Sequence, residues 1–370
     1  MIPGLRVQPA FSAAEPLLLV LLLLPGGCAT GPRPVDGAID PRVYSICQDP
    51  EGATAWQRAQ QAMVRSDDDA ALVDLRLCTQ RCPDLVRAHL AYQDIARRKG
   101  GEVQQAMQDF YMQAPERDSP VPAYLKARLA ETDYARRNAL DAILVRDPSF
   151  AWAHLSRARV NRRQGRLLQA VDMFADAIVH DGALHEARLE RAQVLAELGR
   201  EEEAAVDYRA YLREVPGDLA ATRAFVTLLL YRLGRVDEAL PLLDRLEKEM
   251  PGSLSLRMDR AAASWRRPKE SIEAYLGILA VDPKMARALW NIGMLYYEVL
   301  PKNEADRRRY WPKARAAFRL FLDVVEPGDG HEHFERTLAV PYKLEVIAEL
   351  LGPASGQAVS VDDLKWPGDG

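Results

Sequence analysis

Cysteine is the residue type whose placement in this sequence points most directly to chemistry. Cys28 follows Gly26 and Gly27, shortly after the apolar run 17–24. Cys47, Cys78 and Cys82 lie further along the chain, and export to an oxidising compartment would permit a disulfide among them. Three buried or free thiols are the alternative, because the sequence does not give the geometry that decides between the two.

Other residues that could do chemistry are sparse. The sequence contains no Gly-rich phosphate loop, no Gly-x-Ser-x-Gly elbow and no His-Glu-x-x-His pair. His331, Glu332 and His333 stand alone, without further ligands at a useful spacing. The formal charge of −4, from 49 Lys and Arg against 53 Asp and Glu, argues against nucleic acid as a partner. We therefore predict no enzyme activity, no metal and no cofactor.

The amino terminus carries the features of an export signal. The eight apolar residues 17–24 are too few to span a bilayer as a helix, and small residues follow them. Because Cys28 comes directly after the small pair, residues 1–27 resemble the signal peptide of a bacterial lipoprotein. The resemblance implies a lipid on Cys28, and Ala29 in place of Asp favours the outer membrane, facing the periplasm. An ordinary signal peptide is the alternative. Residues 28–50, rich in Pro and Gly at their start, are predicted to be a tether.

The elements that follow repeat at an even spacing. Residues that end helices, Pro or Gly, lie at 83, 115, 148, 182, 216, 251, 283 and 327, with successive differences of 32, 33, 34, 34, 35, 32 and 44. Each of these breakers marks a boundary between units. Small residues recur within the units, at Ala158, Ala192 and Gly293 in the first helix and at Ala170 and Ala204 in the second. This pattern predicts a repeated helix-turn-helix hairpin whose helices approach closely.

The segments 186–218 and 286–299 show this pattern most clearly, and they resemble the tetratricopeptide repeat. The resemblance implies an all-α fold, a right-handed superhelical solenoid of antiparallel helix pairs. About eight units cover residues 51–327, with a degenerate third unit. We expect residues 300–313 to form a loop inserted in the last unit, which either contacts a partner or is merely tolerated. Residues 328–352 are predicted to form a capping helix, and residues 353–370 a disordered tail.

The resemblance also implies a concave groove lined by the first helices. Mapping the family's groove positions onto this sequence predicts a basic amino-terminal half and an aromatic carboxy-terminal half. These properties suit a peptide or helix with acidic residues beside an apolar anchor. The alternative is that the same residues only pack hairpins or form a solvated face. The ninth position of unit six maps to Leu228, and no unit has the Asn that a carboxylate clamp for chain termini requires. The candidate partner-binding residues are Arg87, Arg97, Trp152, Arg159, Arg162, Arg163, Gln193, Tyr231, Trp265, Trp290 and Tyr297.

Together these features predict an exported, lipid-anchored scaffold that holds protein partners for an envelope complex. The resemblance extends, more distantly, to repeat lipoproteins of pilus or secretin assembly, outer-membrane assembly and gliding motility. Two alternatives remain open at this point. One is an enzyme tethered at the envelope that acts on cell-wall material, and the other is a regulator anchored in the cytoplasmic membrane.

Overall fold

The computed structural model describes residues 44–114, 118–325, 330–353 and 358–367. For residues 330–335 it describes the backbone and not the side chains. The chain divides into Met1–Asp40 and Pro41–Gly370, and every described residue belongs to the second unit. Cys28, the predicted signal peptide and most of the predicted tether lie outside the described residues. The side chains of His331, Glu332 and His333 lie outside them too.

Seventeen α-helices follow one another in the described residues, and each contacts the next. In α1 to α16 the odd-numbered member of each pair is called the first helix and the even-numbered member the second helix. The first four pairs are α1 Pro50–Val64 with α2 Asp68–Arg81, α3 Val86–Lys99 with α4 Gly101–Met112, α5 Val121–Arg128 with α6 Asp133–Arg146, and α7 Ala151–Arg163 with α8 Leu167–His180. The next four are α9 His185–Glu197 with α10 Glu201–Glu214, α11 Leu219–Tyr231 with α12 Val236–Glu249, α13 Leu254–Ala263 with α14 Pro268–Leu279, and α15 Ala286–Met294 with α16 Glu304–Val324. A single helix, α17 Gly330–Leu351, follows them.

Glycine ends the first helix in the best-formed pairs. Gly165 and Gly199 have φ of 71° and 73°, a region that residues with a Cβ rarely occupy. The amide after each glycine donates back to a carbonyl five residues earlier, Arg166 to Asn161 at 2.9 Å and Arg200 to Leu195 at 2.8 Å. This arrangement satisfies the last carbonyls of the helix and turns the chain into the second helix. Pro148, Gly182 and Pro216, which belong to the even spacing seen in the sequence, lie instead between a second helix and the next first helix.

Small residues allow the helices to pack closely, as the repeat pattern predicts. Ala158, Ala170, Ala192 and Ala204 have no exposed surface. The clearest case is Gly293 in α15, where an added Cβ would lie 2.5 Å from the ring of Phe318 in α16. The predicted all-α fold of antiparallel helix pairs is confirmed.

The predicted inserted loop is instead helical. Residues 304–313 extend the amino-terminal end of α16, which is 21 residues long, and Asn303 caps it by accepting a hydrogen bond from the amide of Asp306 at 2.9 Å. The segment before it, Leu295–Val299, is a short π-helical turn. Pro312 lies inside α16 and Pro341 inside α17, and both helices continue through them. The insertion thus lengthens a helix that is already present.

Part of the predicted disordered tail is ordered. Residues Val361–Leu364 form one turn of 3₁₀-helix, and Leu364 is fully buried. The Tyr296 hydroxyl donates to the Leu364 carbonyl at 3.0 Å, and the Trp366 ring lies 6.0 Å from that of Tyr310. These contacts attach the end of the described chain to the last helix pair and bury apolar surface there. The sequence pattern did not predict this attachment.

Candidate partner-binding face

The first helices α3 to α15 form one surface, called here the first-helix face. Side chains on this face reach from one first helix to the next, as from Arg159 in α7 to Glu190 in α9, whose Nε–Oε1 distance is 2.8 Å. The ion pair of Arg87 in α3 with Glu186 in α9, at 3.1 Å, spans three pairs of the array. Neighbouring helix axes lie roughly 8–10 Å apart, so a flat face would hold these two side chains out of reach. The first-helix face therefore curves inward between α3 and α9.

Basic side chains in the amino-terminal half of this face are paired with acids. Arg159 forms its pair with Glu190, and Arg162 donates to Glu197 and, at 2.9 Å, to Gln193. Arg163 reaches Asp133 of the preceding second helix at 2.6 Å. Arg97 lies 3.6 Å from Asp94, a carboxylate that Arg128 also contacts at 3.1 Å. The sequence predicted a basic half, whereas the structure neutralises these charges internally.

Trp152 was predicted to face a partner, but it is buried. Its ring is 2% exposed, and the Arg87 guanidinium lies over it at 5.8 Å from the ring centroid. The indole nitrogen has no hydrogen-bond partner. Because Glu186 holds Arg87 in place, the Arg87–Glu186 pair covers Trp152 from the first-helix face. A partner can reach this tryptophan only after that pair opens.

The aromatic residues predicted at the carboxy-terminal end divide into two groups. Trp290 packs 5.7 Å from the Phe318 and Phe321 rings, with Arg336 of α17 over it at 5.9 Å. Tyr297 stacks on Trp311 at 5.3 Å, and Lys343 of α17 lies 4.5 Å above the Tyr297 ring. Both residues therefore attach α17 to the last pair. Tyr231 and Trp265 remain partly exposed.

Asp259 of α13 is the centre of a polar cluster near Tyr231. Its carboxyl accepts a hydrogen bond from the Tyr231 hydroxyl at 2.8 Å, and the Arg287 guanidinium lies 5.0 Å from the Tyr231 ring centroid. Burial raises the pKa of the Asp259 carboxyl, and the Tyr231 hydrogen bond with the nearby charges of Arg287 and Arg223 offsets part of that rise. Burial and the neighbouring Asp259 also raise the pKa of Tyr231. The cluster links α11, α13 and α15.

Unit six shows why sequence mapping missed Arg223. The Arg235 amide donates to Leu229, six residues earlier, whereas the matching bonds at Arg166 and Arg200 span five. The turn after α11 therefore holds one extra residue, and the register of α11 moves by one. Thr227 is exposed at the ninth groove position, and Leu228, predicted there, is 5% exposed. Arg223 then falls on the first-helix face, and its guanidinium bonds to the Ser255 hydroxyl.

Of the three cysteines in the described residues, two form a disulfide and the third is a free thiol. Cys47 and Cys82 form a disulfide with a Cα–Cα distance of 5.5 Å, which ties the segment before α1 to the end of α2. Cys78 is free and fully buried, and burial raises the pKa of its thiol to about 11. Gly52 lies against the disulfide, since an added Cβ would be 2.6 Å from the Cys82 sulfur.

Metal sites and membrane spans are two further possibilities for the described residues. No group of three or more His, Cys, Asp or Glu side chains there has an arrangement that could hold a metal ion. Each helix that the structure describes is too short or too polar to cross a membrane.

Comparison with known proteins gives the class of this repeat. Residues 168–218, which contain α9 and α10 and most of α8, match the family model for the tetratricopeptide repeat. This match confirms the repeat class that the sequence pattern indicated. A comparison with curated proteins finds no match.

Solved tetratricopeptide-repeat structures are similar over parts of the chain. YrrB, described as a TPR protein with an unusual peptide-binding site, is 16% identical over 55% of this chain and 99% of its own, with a TM-score of 0.40. PilW, a type IV pilus biogenesis factor, is 18% identical over 55% of this chain and 96% of its own, with a TM-score of 0.40. Yeast Tom70 is 13% identical over 83% of this chain and 68% of its own, with a TM-score of 0.40.

Proposed function

We propose that this protein is a scaffold that binds protein partners on its first-helix face. The observation that carries the proposal is that side chains of these helices contact one another along two stretches of the face, from α3 to α9 and from α11 to α15. The face presents ion-paired arginines at one end and exposed Arg223, Thr227 and Tyr231 at the other. An inward-curving surface of this kind surrounds a peptide or helix with side chains from several repeats.

We extend the proposal to export and anchoring. The disulfide between Cys47 and Cys82 supports an oxidising compartment, because structural disulfides are rare where thiols are kept reduced. The apolar run before Cys28 supports cleavage and lipidation at that residue. The protein then stands at the outer membrane, facing the periplasm, joined by the residues after Cys28. An anchored scaffold suits the assembly or function of an envelope complex, such as a pilus or secretin, the outer-membrane assembly machinery or a gliding motor.

The anchoring proposal is tested by fractionation of cells that produce the full chain or its Cys28→Ala variant. We expect the unaltered protein in the outer-membrane fraction with globomycin-sensitive processing, and the variant without either property. Recovery of both proteins in the same fraction with the same processing would contradict lipidation at Cys28.

The binding proposal is tested by site-specific photo-crosslinking in intact cells. A photoreactive residue replaces Thr227 or Tyr231 on the first-helix face, and the matched controls replace Val179 or Val206, which are 69% and 61% exposed on second helices. We expect discrete crosslinked partners from the first-helix positions alone. Equal crosslinking from the valine positions, or crosslinking from those positions only, would place the partner elsewhere and contradict the proposal.

A further inference from the structure

We propose that the carboxy-terminal part of the first-helix face, around Arg223 and Arg287, binds the carboxylate side chains of an acidic peptide. This inference rests on the proposed function and names the chemistry of the partner. It moves the acid-binding region away from the amino-terminal half, where the sequence pattern suggested it. In that half the arginines already have carboxylate partners within the chain.

The contrast between the two halves is built into the helix sequences. α7 contains four arginines and no acid, and α9 beside it supplies Glu186, Glu190 and Glu197. α11 and α15 contain no acid either, and α13 between them contributes only Asp259. The cations of α7 therefore all find partners, two in the next first helix and two in the preceding second helix. Arg223 in α11 and Arg287 in α15, by contrast, face one carboxyl.

That carboxyl does not pair with either arginine. Asp259 is 4% exposed and accepts its hydrogen bond from Tyr231, and neither Arg223 nor Arg287 forms an ion pair within the described residues. Arg223 and Arg287 still lie close enough to lower the pKa of Asp259 against the effect of burial. The cluster thus keeps an excess of positive charge on the first-helix face.

Both arginines are held in place before a ligand arrives. The Tyr231 ring supports the Arg287 guanidinium at 5.0 Å, and the Ser255 hydroxyl bonds to Arg223. A stacked guanidinium keeps its N–H edge free for a carboxylate fork, and a side chain that is already ordered loses less entropy on binding. An exposed peptide with acidic side chains and an extended backbone carries the negative charge that would pair with these two guanidinium groups.

Apolar contacts for the same peptide lie beside the arginines. Tyr231 is 39% exposed, and two further side chains are partly exposed, Trp265 in the turn after α13 and Met294 at the end of α15. Aromatic and thioether side chains supply contact area that tolerates different apolar partners. The surface therefore fits a peptide in which acidic residues alternate with an apolar anchor.

The test uses short fluorescein-labelled peptides that share one Trp and one Leu and carry either Glu or Gln at every other position. Binding to the full chain is measured by fluorescence anisotropy for the unaltered protein, Arg287→Gln and Arg223→Gln. Arg162→Gln is the matched control, since Arg162 lies on the same face but is paired with Glu197. Circular dichroism of each variant confirms that it is folded.

We expect the Glu peptide to bind at least about tenfold more tightly than its Gln counterpart, because a charge-assisted hydrogen bond contributes more than a neutral one. Arg287→Gln and Arg223→Gln each remove most of that preference, and Arg162→Gln keeps it. Equal binding of the two peptides, or an equal loss in Arg162→Gln, would overturn the inference. Peptide binding without a charge preference, with crosslinks still confined to Thr227 and Tyr231, would leave the proposed function standing and reject only the acidic partner.

Discussion

At the residue scale, close packing depends on positions that lack a side chain. Gly293 allows Phe318 to lie against the backbone of α15, and an added Cβ would come within 2.5 Å of that ring. We expect Gly293→Ala to lower the free energy of unfolding by about 1–3 kcal/mol, because the last pair must separate to make room. Urea unfolding followed by circular dichroism measures the change.

Gly277 in α14 provides the matched control for this prediction. It is exposed in a helix, and an added Cβ would meet nothing within 4 Å. Gly277→Ala is expected to raise stability by about 0.5–1 kcal/mol through helix propensity. A loss of stability in both variants would show that the contact with Phe318 is not the cause.

Asp259 gives a second prediction at this scale, about pH. Because burial raises its pKa in the folded protein, the folded state binds more protons than the unfolded state between the unfolded pKa and the raised one. The Asp259 carboxyl therefore adds to the stability of the folded protein at low pH. This contribution is lost as the pH rises from the unfolded pKa through the raised, folded pKa. Asp259→Asn keeps an acceptor for Tyr231 and removes the titration.

We expect the stability of Asp259→Asn relative to the unaltered protein to increase as pH rises from about 4 to 7. Urea unfolding across that range, for both proteins, measures the difference. A difference that stays constant with pH would contradict the raised pKa. The groups that surround the carboxyl, Tyr231, Arg223 and Arg287, are unchanged in this comparison.

At the scale of elements, the contribution of an ion pair between two helices to the unfolding free energy depends on how deeply the pair is buried. Arg191 of α9 contacts Asp207 of α10 through two bonds of 2.6 Å and 2.7 Å, and the Asp207 side chain is 3% exposed. Removing Arg191 leaves a buried carboxylate without its partner. We expect Arg191→Ala to cost about 3–5 kcal/mol of unfolding free energy, as for other broken buried pairs.

The pair Arg163–Asp133 joins α7 to α6 in a more exposed position and provides the comparison. Its side chains are 47% and 31% exposed. Arg163→Ala should cost no more than about 1 kcal/mol, and the cost should shrink in high salt. Equal losses for the two variants in chemical denaturation would contradict the assignment of burial as the deciding factor.

The first helix pair offers a prediction about the disulfide. Cys47 and Cys82 close a loop with a sequence separation of 35, so reduction should lower the unfolding free energy by about 2–4 kcal/mol. Thermal unfolding with and without dithiothreitol measures this shift, and Cys47→Ser with Cys82→Ser is the control that should not respond.

Buried Cys78 should resist alkylation in the folded protein, because burial raises the pKa of its thiol to about 11.

Elements were predictable where a single residue type decides the local structure. Pro148, Gly182 and Pro216 lie between one helix pair and the next, so the repeat length could be read from the spacing of such residues. The extra residue after α11 appears in the sequence only as the 35-residue spacing from Pro216 to Pro251, and that spacing does not say which helix or turn holds it. The helical extension at 304–313 was missed for a related reason, since a polar segment before a proline is compatible with a loop or a helix.

Candidate site residues were harder to predict than the fold. Arginine spacing identified the first-helix face, but only coordinates show that Arg159 and Arg162 are paired with acids 31 and 35 residues away. Trp152 has the residue type of a binding anchor, and its burial beneath Arg87 depends on a contact that spans three pairs. Such long-range pairing leaves no signal in the sequence of one repeat.

At the scale of the whole molecule, the apolar core is divided along the array. One cluster extends from Tyr44 to Ala239, a smaller one from Val226 to Ala263, and a third from Met258 to Leu364. Each helix pair contacts mainly its neighbours, so stability propagates locally. A change at one end should therefore leave the other end folded.

Trp366 allows this independence to be tested. Its ring lies near those of Tyr296 and Tyr310 in the third cluster. We expect Trp366→Ala to weaken that cluster by about 2–3 kcal/mol and to speed amide exchange in α15 to α17. Exchange in α7 to α10 should not change. Faster exchange along the entire array would contradict local propagation.

The position of the partner is tested most directly by hydrogen–deuterium exchange of the full chain with and without the Glu peptide. The first-helix face and its unpaired arginines predict slower exchange in α11, α13 and α15 when the peptide is bound, with α6 and α8 unchanged. Arg287→Gln should remove this protection, whereas Arg162→Gln should retain it. Protection confined to α6 and α8, or no protection at saturating peptide, would contradict the account.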